Sequence, residues 1–175
     1  MHNYKSLKVF FEEPILDHYF REIVKKTKGS PLIIQRELKE LLNRNLILSA
    51  GKIGNIKKYK ANRDNEQFIF QKQIYNLDVL FSSGLIPFLV DRISPNAILL
   101  IGSYSKGADI ESSDIDLALI VKRNIDFDDE QLKKYEKLLN RKIHIHIVEN
   151  FSKLSNELKN NIVNGFAIYG FNKVF

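Results

Sequence analysis

Two short motifs constrain this chain more than any other feature of its sequence. The pair Gly102 and Ser103 ends one apolar run. Ten residues further on, Asp114 and Asp116 open a second apolar run. Alternation along a strand predicts that both aspartates lie on the same face. Because neighbouring carboxylates repel each other, this pattern favours a divalent cation bound between them.

The Gly-Ser pair has a predicted function of its own. It falls between an apolar strand pattern and a short helix pattern, so its backbone N–H groups offer a place for phosphate. Lys106 follows closely, and its charge is suited to neutralising phosphate. A phosphate-binding turn beside paired carboxylates indicates metal-assisted chemistry on a nucleoside triphosphate. An ordinary Ser- and Asp-rich surface loop leading into a strand is the alternative.

This spacing resembles the minimal nucleotidyltransferase domain of the DNA polymerase beta superfamily. The signature of that family is Gly-Ser, about ten residues, then Asp-x-Asp, and Gly102, Ser103, Asp114 and Asp116 match it. The resemblance implies Mg²⁺ or Mn²⁺ held by the two aspartates. It also implies that ATP or another nucleoside triphosphate is bound through Gly102, Ser103 and Lys106, and that its nucleotidyl group is transferred to a hydroxyl.

The resemblance extends towards the C-terminus, with one departure. Residues 157–170 look like the closing helix and Gly-x-x-x-Tyr-Gly end of such domains, and residues 138–148 like their third catalytic strand. The family places a third carboxylate near His144, and this chain has none there. His144 and His146 share one strand face, whereas Glu149 has the opposite parity. Either His144 replaces the carboxylate as a general base, or catalysis has been lost.

The N-terminal third carries the basic excess of the chain. Residues 1–65 hold 14 Lys and Arg against 7 Asp and Glu, whereas residues 66–175 hold 13 against 14. A positive excess confined to one segment indicates a polyanionic partner, although a solvated lysine-rich surface gives the same count.

Helical patterns at residues 6–11, 17–27 and 31–43, followed by strand patterns at 46–48 and 57–60, resemble a winged helix-turn-helix domain. Ser30 is expected to cap the third helix, with Pro31 at its first position. This helix would read a DNA major groove, although Leu32 and Ile33 also fit a protein contact. The predicted DNA-binding residues are Gln35, Arg36, Lys39, Lys52, Lys57 and Lys58, with Lys60 as a further wing lysine. A small helical dimerisation domain is the alternative.

The sequence therefore predicts an α+β protein in three parts. A winged helix-turn-helix domain covers residues 1–63, connecting helices cover 64–94, and a nucleotidyltransferase-like α/β domain with a small mixed sheet covers 95–175. Aromatic residues of the connecting segment are expected to form core or homodimer contacts. A further helix is expected at 128–140, with Leu132, Tyr135, Leu138 and Leu139 on its packed side.

Composition narrows the remaining possibilities. The 175 residues include no cysteine, which excludes disulfides and thiolate metal sites. No apolar run approaches the length of a membrane span, so we expect a cytoplasmic protein without a membrane partner. The predicted function is metal-dependent transfer of a nucleotidyl group from a nucleoside triphosphate to an unidentified hydroxyl, by a protein with a DNA-binding winged-helix domain. The alternative is a non-catalytic DNA-binding regulator, or an antitoxin-like protein whose C-terminal domain binds a nucleotide or a protein partner.

Overall fold

The computed structural model describes residues 5–54, 56–123, 125 and 127–171, apart from the side chain of residue 53. The ends of the predicted domains, at 1–4 and 172–175, and residue 55 of the predicted hairpin turn lie outside this description. The chain divides into two compact units, Met1–Lys72 and Gln73–Phe175.

The first unit combines three helices with an antiparallel sheet. Its strands lie in the order β1-β3-β2. The helices expected at 6–11 and 31–43 and both hairpin strands are confirmed. The helix expected at 17–27 begins later, because His18 pairs with Tyr59 as part of a short strand. The elements are α1 (Lys5–Glu12), β1 (His18–Tyr19), α2 (Phe20–Thr27), α3 (Pro31–Asn43), β2 (Ile47–Ile53) and β3 (Ile56–Ala61).

Helix α3 shows how the sequence produces this unit. Ile34, Leu38 and Leu41 recur at helical spacing, and all three are buried. Pro31 occupies the first turn, where no backbone N–H is needed. Ser30 has the extended backbone of a capping residue, but its side chain makes no capping hydrogen bond. The N-terminal end of α3 is therefore set by Pro31 and the buried apolar residues, without the predicted hydrogen bond to the Ser30 hydroxyl.

Two helices follow the hairpin, as expected: α4 (Glu66–Ser82) and α5 (Leu85–Ile93). The boundary between the two units falls within α4. Among the described residues, no single helix is long and apolar enough to cross a membrane. Among these helices, α4 and α5 reach the necessary length and apolar composition only when taken together, across a 57° bend.

The second unit is built on a four-stranded sheet in the order β6-β5-β4-β7. Strands β5 and β6 are parallel, and the other pairs are antiparallel. The predicted small mixed sheet and the α+β class are therefore confirmed. The elements are β4 (Ala97–Ile101), α6 (Gly102–Ser105), β5 (Ile115–Ile120), α7 (Lys133–Leu139), β6 (Ile143–Val148), α8 (Asn156–Val163) and β7 (Phe166–Gly170).

Two expectations for this unit were wrong. The segment after α8 forms β7, which pairs with β4, so the last described element is a strand where a closing helix was expected. The segment 128–140 begins with a 3₁₀ turn, Asp129–Leu132, before α7, and Leu138 is 65% exposed. In α7 only Tyr135 is buried, so the packed side is narrower than the apolar pattern indicates.

The two faces of this sheet pack differently. One face, which includes Leu100, Leu117 and Ile143, packs in a large apolar cluster with residues of α5. The other face, which includes Ile101 and Ala118, packs against Ile162 of α8. Even-numbered residues of β5 and β6 belong to this second face, because side chains alternate along a strand. Asp116, His144 and His146 therefore lie on the face that α8 only partly covers.

Candidate active site

The two sequence motifs meet because β4 and β5 are antiparallel neighbours. Ile101, the last residue of β4, pairs with Asp116 of β5. Gly102 and Ser103 begin α6 directly after Ile101, so the Gly-Ser turn and the Asp-x-Asp motif lie side by side. Asp114 immediately precedes β5, whereas the sequence pattern places it on the strand. The side chain of Asp114 is 40% exposed and that of Asp116 is 29% exposed, so an ion from solvent can reach both.

Gly102 is required here by two features of the backbone. Its φ of +73° lies in the left-handed region, which residues with a Cβ rarely adopt. A Cβ at this position would also lie 2.6 Å from Asp116 Oδ2. The atoms nearest to this position belong to the Asp116 carboxylate, so the glycine allows the turn to lie against one of the two aspartates.

The parallel pairing of β5 with β6 brings two histidines to the same carboxylates. Asp116 pairs with His144 across the sheet. His144 Nδ1 lies 3.6 Å from Asp116 Oδ1 and 3.9 Å from Asp114 Oδ2. His146 Nε2 lies 3.7 Å from the same Asp116 oxygen. His146 was not among the predicted site residues, although its shared parity with His144 was a signal for it.

The side chains of Asp114, Asp116 and His144 offer donor atoms that suit a divalent cation bound on one face of the sheet. Carboxylate oxygens are the ligands that Mg²⁺ and Mn²⁺ prefer, whereas imidazole favours softer ions such as Zn²⁺ and Fe²⁺. Among the described residues, Asp114, Asp116 and His144 do not form a compact group of three donors within 4.8 Å of one another. An ion bound by both aspartates would therefore have to draw their carboxylates closer together.

A compact donor group does occur in the first unit, at Glu13, His18 and Glu22. The Lys26 ammonium contacts Glu13 and lies 2.9 Å from Glu22 Oε1. Its hydrogen bond is the main cause that lowers the pKa of Glu22. His18 Nε2 lies 3.2 Å from the Glu13 carbonyl oxygen, so this nitrogen carries the proton and donates it. Lys26 thus supplies a positive charge to both carboxylates of this group.

The remaining predicted nucleotide-binding residues are Ser103, which lies in the turn, and Lys106, which follows α6. Ser103 is half-buried, and its carbonyl accepts from the N–H groups of Lys106 and Ala108. Lys106 directly follows α6 as its C-terminal capping residue, and its exposed side chain can reach towards a ligand. The turn is therefore rigid through its backbone, whereas the lysine is only a nearby charge.

A cleft of about 420 Å³ opens beside Asp116 and His146. That volume lies in the range of small-molecule sites. One wall is the end of β4 and Gly102, and the other is α8 with its capping residue Ser155. Its full lining is Ile101, Gly102, Asp116, His146, Ser155, Glu157, Leu158 and Asn161.

The predicted DNA-binding residues lie in the first unit. Gln35, Arg36 and Lys39 are exposed on α3, as the helical pattern indicated. Lys52, Lys57 and Lys60 are exposed on the β2–β3 hairpin. Lys58 differs, because its Nζ lies 3.4 Å from Asp17 Oδ2 and 5.4 Å from the centre of the Tyr19 ring. Lys58 is thus held by its own unit and offers less charge to a partner than its neighbours do.

Comparison with known families agrees with this geometry. A family model described as "Polymerase beta, Nucleotidyltransferase" matches residues 84–173, just over half of the 175 residues. The match spans both motifs, all four strands of the second sheet and α8. No curated protein matches the chain significantly. With the Gly-Ser turn, the paired aspartates and this match in agreement, the chain belongs to the polymerase beta nucleotidyltransferase family.

Proposed function

We propose that this protein transfers a nucleotidyl group from a nucleoside triphosphate to a hydroxyl and binds duplex DNA through its first unit. The observation that carries the transferase part is the pairing of Ile101 with Asp116, which places the Gly-Ser turn beside the two aspartates. Family membership supports nucleotidyl transfer as the general chemistry. The acceptor, the nucleotide and the metal belong to the proposal.

In the proposed reaction, an acceptor hydroxyl oxygen bonds to the α-phosphorus and the bond to the β-phosphate oxygen breaks, releasing pyrophosphate. Backbone N–H groups at Gly102 and Ser103 hold the departing phosphates. Asp114 and Asp116 hold Mg²⁺ or Mn²⁺. When bound, this ion neutralises charge on the phosphoryl oxygens. Lys106 adds positive charge at the rim of the site.

His144 is the proposed acceptor of the hydroxyl proton. A neutral imidazole accepts a proton near neutral pH, and His144 lies beside both aspartates. Its side chain is 57% exposed, so an incoming hydroxyl has access to it. His146 lines the cleft, and its Nε2 lies 3.7 Å from the same Asp116 oxygen.

A test of the site compares two double variants. Asp114→Asn with Asp116→Asn removes both carboxylates, and we expect loss of Mg²⁺-dependent ATP binding measured by calorimetry. Asp78→Asn with Asp91→Asn is the matched control, since both of those aspartates are exposed in the same unit. Equal ATP affinity in the two double variants would refute the proposed site. Incubation with labelled nucleotides, Mn²⁺ and cellular RNA and protein then identifies the acceptor.

The DNA-binding part of the proposal rests on shape and charge together. Unit Met1–Lys72 places a basic hairpin after a helix whose exposed side includes Arg36 and Lys39. Exposed lysines on a two-stranded hairpin are suited to phosphate contacts. We therefore propose a winged helix-turn-helix function for this unit, with α3 as the recognition helix.

A second candidate function follows from the missing third carboxylate. If His144 does not replace it, the second unit binds a nucleotide or a protein partner without catalysis, and the protein is a DNA-binding regulator or an antitoxin-like component. The sequence of β6 favours this candidate, since Ile143–Val148 includes no carboxylate. Nucleotide binding without any transfer, in the labelled-nucleotide assay, would distinguish it.

A further inference from the structure

The loop between the two motifs is held by a residue that neither motif contains. Arg141 lies in the turn between α7 and β6. Its NH1 group donates to the carbonyl of Ile110 and, at 3.1 Å, to the carbonyl of Ser113. Its NH2 group lies 3.3 Å from Asp109 Oδ2. A planar guanidinium makes such divergent hydrogen bonds with little freedom left in the side chain.

We call Arg141 and its three partners, Asp109, Ile110 and Ser113, the Arg141 clamp. The charged side chains of this clamp are sheltered from water. The side chain of Arg141 is 10% exposed and that of Asp109 is 1% exposed. Asn76 of α4 donates to Asp109 Oδ1 at 2.8 Å and to the Tyr104 carbonyl at 2.9 Å. Asp109 therefore connects the loop to α4 on one side and to Arg141 on the other. Charged hydrogen bonds away from solvent are stronger than exposed ones, so this loop has a fixed position.

The clamp acts at the residue directly before Asp114. Ser113 N donates to the Ile110 carbonyl at 3.0 Å, and Ser113 Oγ accepts from Ile110 N at 2.9 Å. Arg141 binds both carbonyls of this small turn. Asp116 differs, because strand pairing with Ile101 and His144 fixes its backbone without Arg141.

We propose that Arg141 is a positioning residue for Asp114, and that it fixes where the Asp114 carboxylate lies and hence the affinity of the site for a divalent cation. This inference rests on the proposed metal site at Asp114 and Asp116. Arg141 does not touch the ion or the nucleotide. It acts by fixing the Ser113 carbonyl, and so the direction in which the chain enters β5.

The test measures Mn²⁺ affinity by electron paramagnetic resonance of the free ion. Arg141→Lys keeps the charge beside Asp109 but loses the planar fork. We expect Mn²⁺ binding to weaken roughly tenfold, the lower end of the effect usual for residues that orient a metal ligand. Arg92→Lys is the matched control, because Arg92 is exposed in the same unit, and its affinity should equal that of the parent.

A double-variant cycle separates positioning from general stability. In the Asp114→Asn background, Arg141→Lys should weaken Mn²⁺ binding no further, because the ligand it positions is gone. In the Asp116→Asn background it should still weaken binding roughly tenfold. Equal effects of Arg141→Lys in both backgrounds, or parent-like affinity in the single variant, would overturn the inference.

A second clamp variant and the Asp114→Asn variant distinguish failure of this inference from failure of the proposed metal site. If Arg141→Lys does not fold, Asp109→Asn replaces it, since the amide keeps the shape of Asp109 and removes the charged partner of Arg141. The same cycle then decides. If Asp114→Asn alone leaves Mn²⁺ affinity unchanged, the proposed metal site fails and this inference falls with it. If Asp114→Asn weakens binding and the clamp variants do not, only the inference about Arg141 fails.

Discussion

Gly102→Ala is the most informative single change in this protein. It alters the backbone conformation of the turn and the space beside Asp116 together. Gly84→Ala is its matched control, since Gly84 has φ +76° and no atom within 4 Å of where its Cβ would stand. Both variants put alanine into a left-handed conformation, but only the change at Gly102 places a methyl group against a site carboxylate.

The two effects have different sizes. A left-handed alanine costs roughly 1–2 kcal/mol, so both variants should lose about that much unfolding free energy. At Gly102 the new Cβ would lie 2.6 Å from Asp116 Oδ2, whereas ordinary contact begins at 3.4 Å. The carboxylate must therefore move by about 0.8 Å. Because it is the end of a flexible side chain, it can move without unfolding the sheet.

The assay is urea unfolding together with Mn²⁺ affinity at low denaturant. We expect similar losses of stability in both variants and roughly tenfold weaker Mn²⁺ binding in Gly102→Ala alone, as for a displaced metal ligand. Equal Mn²⁺ affinity in Gly102→Ala and Gly84→Ala would show that Asp116 does not need its present position. A Gly102→Ala protein as stable as the parent would refute the backbone argument.

Three other predictions concern separate parts of the chain. His144→Ala should lower nucleotidyl transfer at least about 100-fold while sparing ATP binding, and an unchanged rate with labelled ATP would make His144 an ordinary strand residue. Lys57→Ala should weaken DNA binding for all sequences and reduce its salt slope by about one, whereas Arg36→Ala should also relax sequence preference. Fluorescence anisotropy at several salt concentrations tests both, and salt-independent binding would contradict them. Lys26 lowers the pKa of Glu22 below 4.5, so the stability from this pair is complete above the ordinary carboxyl pKa and is lost as the pH falls through the lowered value. Glu22→Gln should flatten that acid limb in urea unfolding measured against pH, and an unchanged limb would refute this cause.

Local patterns in the sequence predicted the elements that carry the site. Gly102 and the two aspartates follow from spacing and strand parity, and His144 from the expected third strand. The order β6-β5-β4-β7 did not follow, because pairing between distant strands leaves no local signature. Strand β7 was missed for that reason, since its residues only continue what reads as a closing helix.

The contacts of Arg141 and the closeness of Gly102 to Asp116 could not be predicted from the sequence either. Arg141 is 32 positions from Asp109, and nothing in either neighbourhood marks the pair. The spacing predicts a phosphate-binding role for Gly102, but the closeness of this glycine to Asp116 has no signal in the sequence. Lys58 shows the converse, because the charge count cannot tell a lysine held by Asp17 from one that is available to a partner.

The position of β4 in the sheet has a consequence for synthesis of the protein. All five residues of Ala97–Ile101 are buried, and the strand lies between β5 and β7. β7 leaves the ribosome after the other three strands of its sheet, so until then one edge of an apolar strand has no partner. Open edges of this kind are templates for aggregation. A nascent chain arrested before residue 166 is therefore expected to depend on chaperones, and its Gly-Ser turn would stand on an unfinished sheet.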